Sequence, residues 1–158
     1  MEQILVFTAT YNEAENIEDV IISVFEYLPD TVMLIIDDAS PDETGNILNE
    51  LSKKYKQLNI IHRPQKLGLG TAHKLAMKYA IKNNFDILIT MDADFSHHPK
   101  YLKKMVSLML HNDFVTGSRY IKGGGTKLWS LQEVFECNCK FFSKKSVRDS
   151  IKRMYNCL

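Results

Sequence analysis

At 158 residues the chain is long enough for one domain with a sizeable core and too short for two large ones. Apolar residues make up 45% and charged residues 25%, the balance of a folded globular chain and not of a disordered one. A formal net charge of +1 removes any whole-molecule electrostatic argument for a nucleic-acid partner, and no run approaches the roughly 18 apolar residues of a membrane-spanning helix.

The elements alternate in chain order. Gln3 to Thr8 is a continuous apolar run, the pattern of a strand covered on both faces. Asn12 to Leu28 follows as a helix, with Ile17, Val20, Ile21, Val24, Phe25 and Leu28 on one side. A second strand is predicted from Thr31 to Asp37. In "DDASPDET", Ser40 can cap a helix, Pro41 suits its first turn and Glu43 completes a capping box. That helix should turn Ile47, Leu48 and Leu51 inward and end near Lys56. Asn59 to His62 is a short strand and Thr71 to Lys82 a helix. Asp86 to Met91 is a strand, Pro99 opens a helix ending near His111, and Asp113 to Gly117 reads as a fifth strand.

Such alternation, with crossovers long enough to return parallel, predicts an α/β fold: a doubly wound, mainly parallel sheet with helices on both faces. Ligands of such sheets bind outside the carboxyl ends of the strands. The polar clusters fall there: Tyr11 to Glu13, Asp37 to Asp42, and Asp92 to His98. In "MDADFSHHP", Asp92 and Asp94 can direct two carboxylates to the open end of a strand, where they could hold a divalent cation against a diphosphate. An isolated pair of this kind is more often only a turn former; the convergence of other acidic clusters on the same edge favours the site. Asp37 and Asp38 follow a fully apolar strand; one can cap the next helix, and Asp38 is assigned to ribose or base donors. Tyr11 could stack on a base and Glu13 read its edge, or Asn12 could cap and Glu13 favour the helix N-terminus; local sequence does not separate these. "KLGLGTAH" lacks the full phosphate-loop pattern and reads as a turn passing close to a ligand, with Lys66 near but not essential to phosphate. Arg119 lies just past a strand end, where a guanidinium can pair with a diphosphate. Adjacent His97 and His98 do not readily face one ion, and one of them is expected to cap the helix opened by Pro99.

The end of the chain has a different character. Residues 138–158 carry Lys140, Lys144, Lys145, Arg148, Lys152 and Arg153 against the single acid Asp149. The three cysteines, Cys137, Cys139 and Cys157, are an odd set suited to a reducing cytosol rather than a disulfide framework. "MEQILVFTAT" shows no signal-peptide pattern, so a cytoplasmic chain is expected. With Phe135, Phe141 and Phe142, the basic segment could lie along a membrane surface or remain a solvated end.

Taken in order, "ATYNEAENI", "IIDDASPDET", "KLGLGTA", "MDADFSHHPK" and "GSRYIKGGGTKLW" resemble the family 2 glycosyltransferases of GT-A fold. More narrowly they resemble the dolichol-phosphate and polyprenol-phosphate mannose synthases. The resemblance covers about residues 3–129, giving a nucleotide-sugar-binding domain over 1–129 and a basic, cysteine-containing tail over 130–158, shortened relative to the family. It implies transfer of mannose from GDP-mannose to a dolichyl or polyprenyl phosphate, with inversion and with Mg2+ or Mn2+. Carried over by motif, Ala9, Tyr11 and Glu13 would line the guanosine pocket, and Ile36 and Asp38 would contact base and ribose. Asp92, Ala93 and Asp94 would meet the sugar nucleotide, with Asp94 and Ser96 on the metal and Arg119 facing the diphosphate. Ala9 stands where the family usually has proline. A shortened acceptor region leaves two alternatives: a protein that binds GDP or a membrane-anchoring partner subunit with little or no turnover, and a family 2 enzyme using another donor such as UDP-glucose.

Overall fold

The computed structural model describes residues 2–118. They form β1 (Ile4–Thr10), α1 (Ile17–Tyr27), β2 (Val32–Asp37), α2 (Thr44–Lys54), β3 (Leu58–His62), α3 (Leu69–Lys82), β4 (Ile87–Thr90) and, behind a 3-10 turn at Pro99–Tyr101, α4 (Leu102–Met109). All pairings are parallel, in the order β3-β2-β1-β4. From β1 the chain winds outward through β2 to β3, then returns to the other side of β1 to lay down β4. The order therefore reverses between β1 and β4, and the crevice outside their carboxyl ends is the switch point where open α/β sheets bind ligands.

The apolar runs are continuous because both faces of the sheet are covered. On one face Val6, Met33, Ile35 and Ile89 pack against Ile17, Val20, Ile21 and Val24 of α1, Leu48 and Leu51 of α2, and Leu102 and Met109 of α4. The buried positions of α1 fall at the i, i+3, i+4, i+7 spacing that makes one helical stripe. On the other face Leu5, Phe7, Leu34, Ile36 and Leu88 meet α3 through Ala72, Ala76, Met77 and Ala80. Alanines at i, i+4 and i+8 let that single helix approach the sheet closely.

Three predictions change. The first helix starts at Ile17 and not Asn12, because Asn12 takes φ +62° and the segment after it is bound as a loop to the next connection. The second helix starts at Thr44, and no capping box forms. The Ser40 hydroxyl donates instead to Asp37 Oδ1, and Asp42 Oδ1 accepts from the Thr44 amide. Asp113 to Gly117 carries no strand among the described residues. Of its two large apolar residues, Val115 packs against the core from outside the sheet and Phe114 is 44% exposed. Neither gives β4 a new neighbour.

Candidate active site at the carboxyl edge of the sheet

The loops after β1 and β2 are tied together by amide donors meeting side-chain oxygens. Asn12 N–H donates to Ser40 Oγ (3.0 Å), Glu13 N–H to Thr44 Oγ1 (3.0 Å) and Ala14 N–H to Asp42 Oδ2 (3.1 Å). Desolvation pushes the Asp42 carboxyl upward, but hydrogen bonds from the Thr44 side chain and from the amides of Thr44 and Ala14 outweigh it and hold the pKa below the usual value. Asp37, buried at the end of β2, accepts from Thr10 Oγ1 and Ser40 Oγ, and its Oδ2 lies 3.5 Å from His62 Nδ1. It is the structural member of the Asp37–Asp38 pair.

Asp38 is also engaged inside the protein. Oδ2 accepts from the amides of Leu67 (3.2 Å) and Gly68 (2.9 Å), and Oδ1 forms an ion pair with Arg63, whose side chain is as buried as its own. The sequence motifs single out Asp38 but not Arg63, which ends "IIHR" without a local pattern. Lys66 Nζ lies 3.5 Å from the Tyr11 ring centroid, a cation–π contact that joins the loop after β3 to the loop after β1.

After β4 the chain turns sharply, with Phe95 at φ +60°. Asn12, Ala39 and Phe95 thus place a left-handed residue in the loops behind β1, β2 and β4, a conformation that costs an L-residue of this kind about 1 kcal/mol or more. Asp94 is exposed; Oδ1 accepts from the Ser96 amide and Oδ2 from the Ser96 hydroxyl, both at 2.9 Å. The two histidines divide. His98 Nδ1 accepts from the Lys100 amide at the helix entrance, the expected capping role. His97 folds back: Nδ1 accepts from the Asp92 amide (3.1 Å) and Nε2 lies 3.6 Å from Asp92 Oδ2. Its side chain is 12% exposed against 46% for Asp92, so the imidazole sits inward of the carboxylate.

The carboxylates of different loops sense one another. The Glu13 pKa is raised, first by desolvation and then by Asp94, Asp92 and Asp42, against an opposing hydrogen bond from Asn16. His73, on the first turns of α3, was not singled out by the motifs. Its ring packs edge-on against Phe7 at 5.1 Å, and burial lowers its pKa while the Asp92 charge opposes the shift. The edge therefore sets the Asp92 carboxylate near an imidazole whose charged form is disfavoured by burial. Only the crossing of α3 over β1 brings His73 there.

Ala9 and Ile36 are register partners on the inner strands, and Ile36 is fully buried in the α3-side core, where its side chain presents no surface to a ligand. Ala93 is 3% exposed and also packs inward. Tyr11, Glu13, Asp92, Asp94 and Ser96 lie in the β1 and β4 loops that flank the switch point. Arg119 and the segment 130–158 lie outside the described residues.

This architecture, a parallel sheet with helices on both faces and an acidic switch point, is that of the GT-A class of nucleotide-sugar folds. The chain belongs to glycosyl transferase family 2, a family of enzymes whose model matches residues 5–156, beyond the reach of the sequence motifs at residue 129. It is 34% identical over 130 residues to polyprenol monophosphomannose synthase of Mycolicibacterium smegmatis, covering 81% of this chain and 49% of that protein. It is 32% identical over 127 residues to undecaprenyl-phosphate mannosyltransferase of Micrococcus luteus, covering 80% and 52%. The chain thus spans about half the length of these relatives. In structure it is similar to the mannosyltransferase PcManGT of Pyrobaculum calidifontis, solved with GDP-mannose and Mn2+: TM-score 0.62, 21% identity, 72% of this chain and 34% of that one. S. aureus TarS 1–349 superposes with TM-score 0.64 at 17% identity, covering 94% and 49%. These structural likenesses concern the fold.

Proposed function

We propose that the chain binds GDP-mannose at the β1/β4 switch point and serves transfer of mannose to a polyprenyl phosphate, with inversion and with a divalent cation. The observation that carries this reading is the convergence of Glu13, Asp92 and Asp94 beside the strand-order reversal. The relatives named as polyprenyl-phosphate mannosyltransferases support the acceptor class, and PcManGT with its GDP-mannose and Mn2+ supports the donor and the ion.

The donor set fits such an ion. Asp94, Asp92 and the Ser96 hydroxyl offer hard oxygen donors, and the two carboxylates lie near enough to Glu13 to help raise its pKa. Among the described residues no group of three or more His, Cys, Asp or Glu forms a complete metal site. Mg2+ keeps waters and takes phosphate oxygens beside one or two carboxylates, so a site of this kind needs few protein ligands. When bound, the ion would neutralise charge developing on the leaving diphosphate.

The chain's own residues supply position. Ser96 fixes the Asp94 carboxylate, and His97 holds the Asp92 backbone amide. Ala9, Tyr11 and Glu13 line the nucleoside end; Ile36, Ala93 and Asp38 contribute through the backbone and the pocket wall; Arg119 is assigned to the diphosphate. A lipid phosphate oxygen forms the new bond to the anomeric carbon as the bond to GDP breaks, and the electron pair leaves with GDP. Phosphate is already anionic, so orientation and charge neutralisation matter more than a strong base.

Calorimetric titration with GDP, with and without Mn2+, beside a polyprenyl-phosphate transfer assay tests this reading. Mn2+-dependent GDP binding with transfer is expected. Stronger competition by UDP than by GDP would replace the donor, binding without transfer would leave a nucleotide-binding protein, and binding of neither nucleotide would overturn the site.

A further inference from the structure

We propose that Arg63 is a positioning residue of the donor site, the closure that sets the Lys66–Gly68 loop and so presents Lys66 beside Tyr11. The inference rests on the donor-site reading above and deepens it. Arg63 stands just past β3, anchored by its amide, which donates to the Asp37 carbonyl (2.8 Å). From there its guanidinium reaches three segments. It pairs with Asp38 in the loop after β2, donates through Nη2 to the Gly68 carbonyl (3.2 Å), and donates through Nη1 to Thr71 Oγ1 on the first turn of α3. Asp38 closes the circuit through Oδ2, which accepts from the Leu67 and Gly68 amides. Gly68 is thus held at both its N–H and its C=O, in a conformation (φ +86°) that favours glycine.

Two consequences follow for the glycine loop. The Leu67 and Gly68 amides, which could otherwise face a phosphate at the start of α3, are spent on the Asp38 carboxylate. The loop presents Lys66 instead, and the circuit fixes where that lysine starts. A buried ion pair is weak evidence for stability alone, because an apolar pair of similar volume often serves as well. A planar guanidinium joining two loops and the first turn of α3 at the ligand edge is suited to geometry, and lysine cannot reproduce its fork.

The test uses the full chain and reads amide hydrogen exchange at Leu67 and Gly68, GDP affinity with Mn2+, and KM separately from kcat. In Arg63→Lys, exchange at the two amides should rise about tenfold and GDP affinity fall about tenfold, with KM for GDP-mannose rising and kcat little changed. Thr71→Val, which removes the Arg63 partner together with the hydroxyl's own donation to the Leu67 and Gly68 carbonyls, should move the same readouts in the same direction, and Thr71→Ser should restore them. Unchanged exchange and affinity in both Arg63→Lys and Thr71→Val would overturn the positioning role. So would faster exchange with unchanged affinity, since the circuit would then hold only the fold. Failure of the unsubstituted chain to bind GDP is distinguishable from either result: it overturns the donor-site reading, and this inference with it, whatever the exchange shows.

Discussion

Asp94 and Glu13 are two acids at one edge, held in opposite ways. Asp94 is exposed and both its oxygens are oriented by Ser96, so its geometry is set in advance. Asp94→Asn removes a charged ligand while keeping the shape, and is expected to abolish the Mn2+-dependent part of GDP binding in the calorimeter. Undiminished Mn2+ dependence would remove Asp94 from the metal. Glu13 is raised by burial and then by its acidic neighbours, so folding favours its protonated form. That contribution is fully present below the unfolded pKa and is lost as pH rises through the folded one. Ionising Glu13 as the pH rises therefore weighs against the fold. Glu13→Gln should raise the metal-free melting temperature by about 1–2 °C at pH 7 and leave it unchanged near pH 4. Equal gains at both pH values would show that the effect is not electrostatic.

Among the elements, α3 carries the most consequence per residue, since it alone covers one face of the sheet in the described structure. Its contact is made of small side chains, with Ala72, Ala76 and Ala80 all fully buried. Ala76→Leu has no room to enter without lifting the helix, and is expected to cost about 1–3 kcal/mol in urea unfolding. Because His73 and Thr71 ride on the same helix, the displacement should also weaken GDP binding; a stability loss with unchanged affinity would show that the helix can shift without moving the site. The helix starts illustrate what local pattern misses. Ser40, Pro41 and Glu43 have the composition of a cap, yet Ser40 is drawn to Asp37 and Asn12, contacts 3 and 28 residues away in sequence. Cross-loop hydrogen bonds overrode a local signal that was chemically sound.

At the scale of the whole molecule, acidic side chains are gathered on the carboxyl edge of the sheet, while basic charge is gathered in residues 138–158. No helix among the described residues is long and apolar enough to cross a membrane. We propose that the basic segment, with Phe135, Phe141 and Phe142, contacts an anionic membrane surface where a lipid phosphate would be met. The protein should float with anionic liposomes at low salt, and removal of residues 138–158 should reduce the floating fraction severalfold. Flotation unaffected by that removal would place any membrane contact elsewhere.

The amino-acid sequence by itself determined the strand–helix alternation, the two-sided burial of the strands and the edge on which Glu13, Asp92 and Asp94 fall, because each is written in local periodicity. It also carried the family, through five motifs in one order. Tertiary structure decided what depends on partners distant along the chain. It closed Asp38 onto Arg63, turned His97 toward Asp92 while His98 capped, placed His73 at the edge and left Asp113 to Gly117 outside the sheet. The physical reason is common to these cases. A side chain's local pattern records what it can bond, whereas the crossing of loops and helices over the sheet selects which of those bonds is within reach.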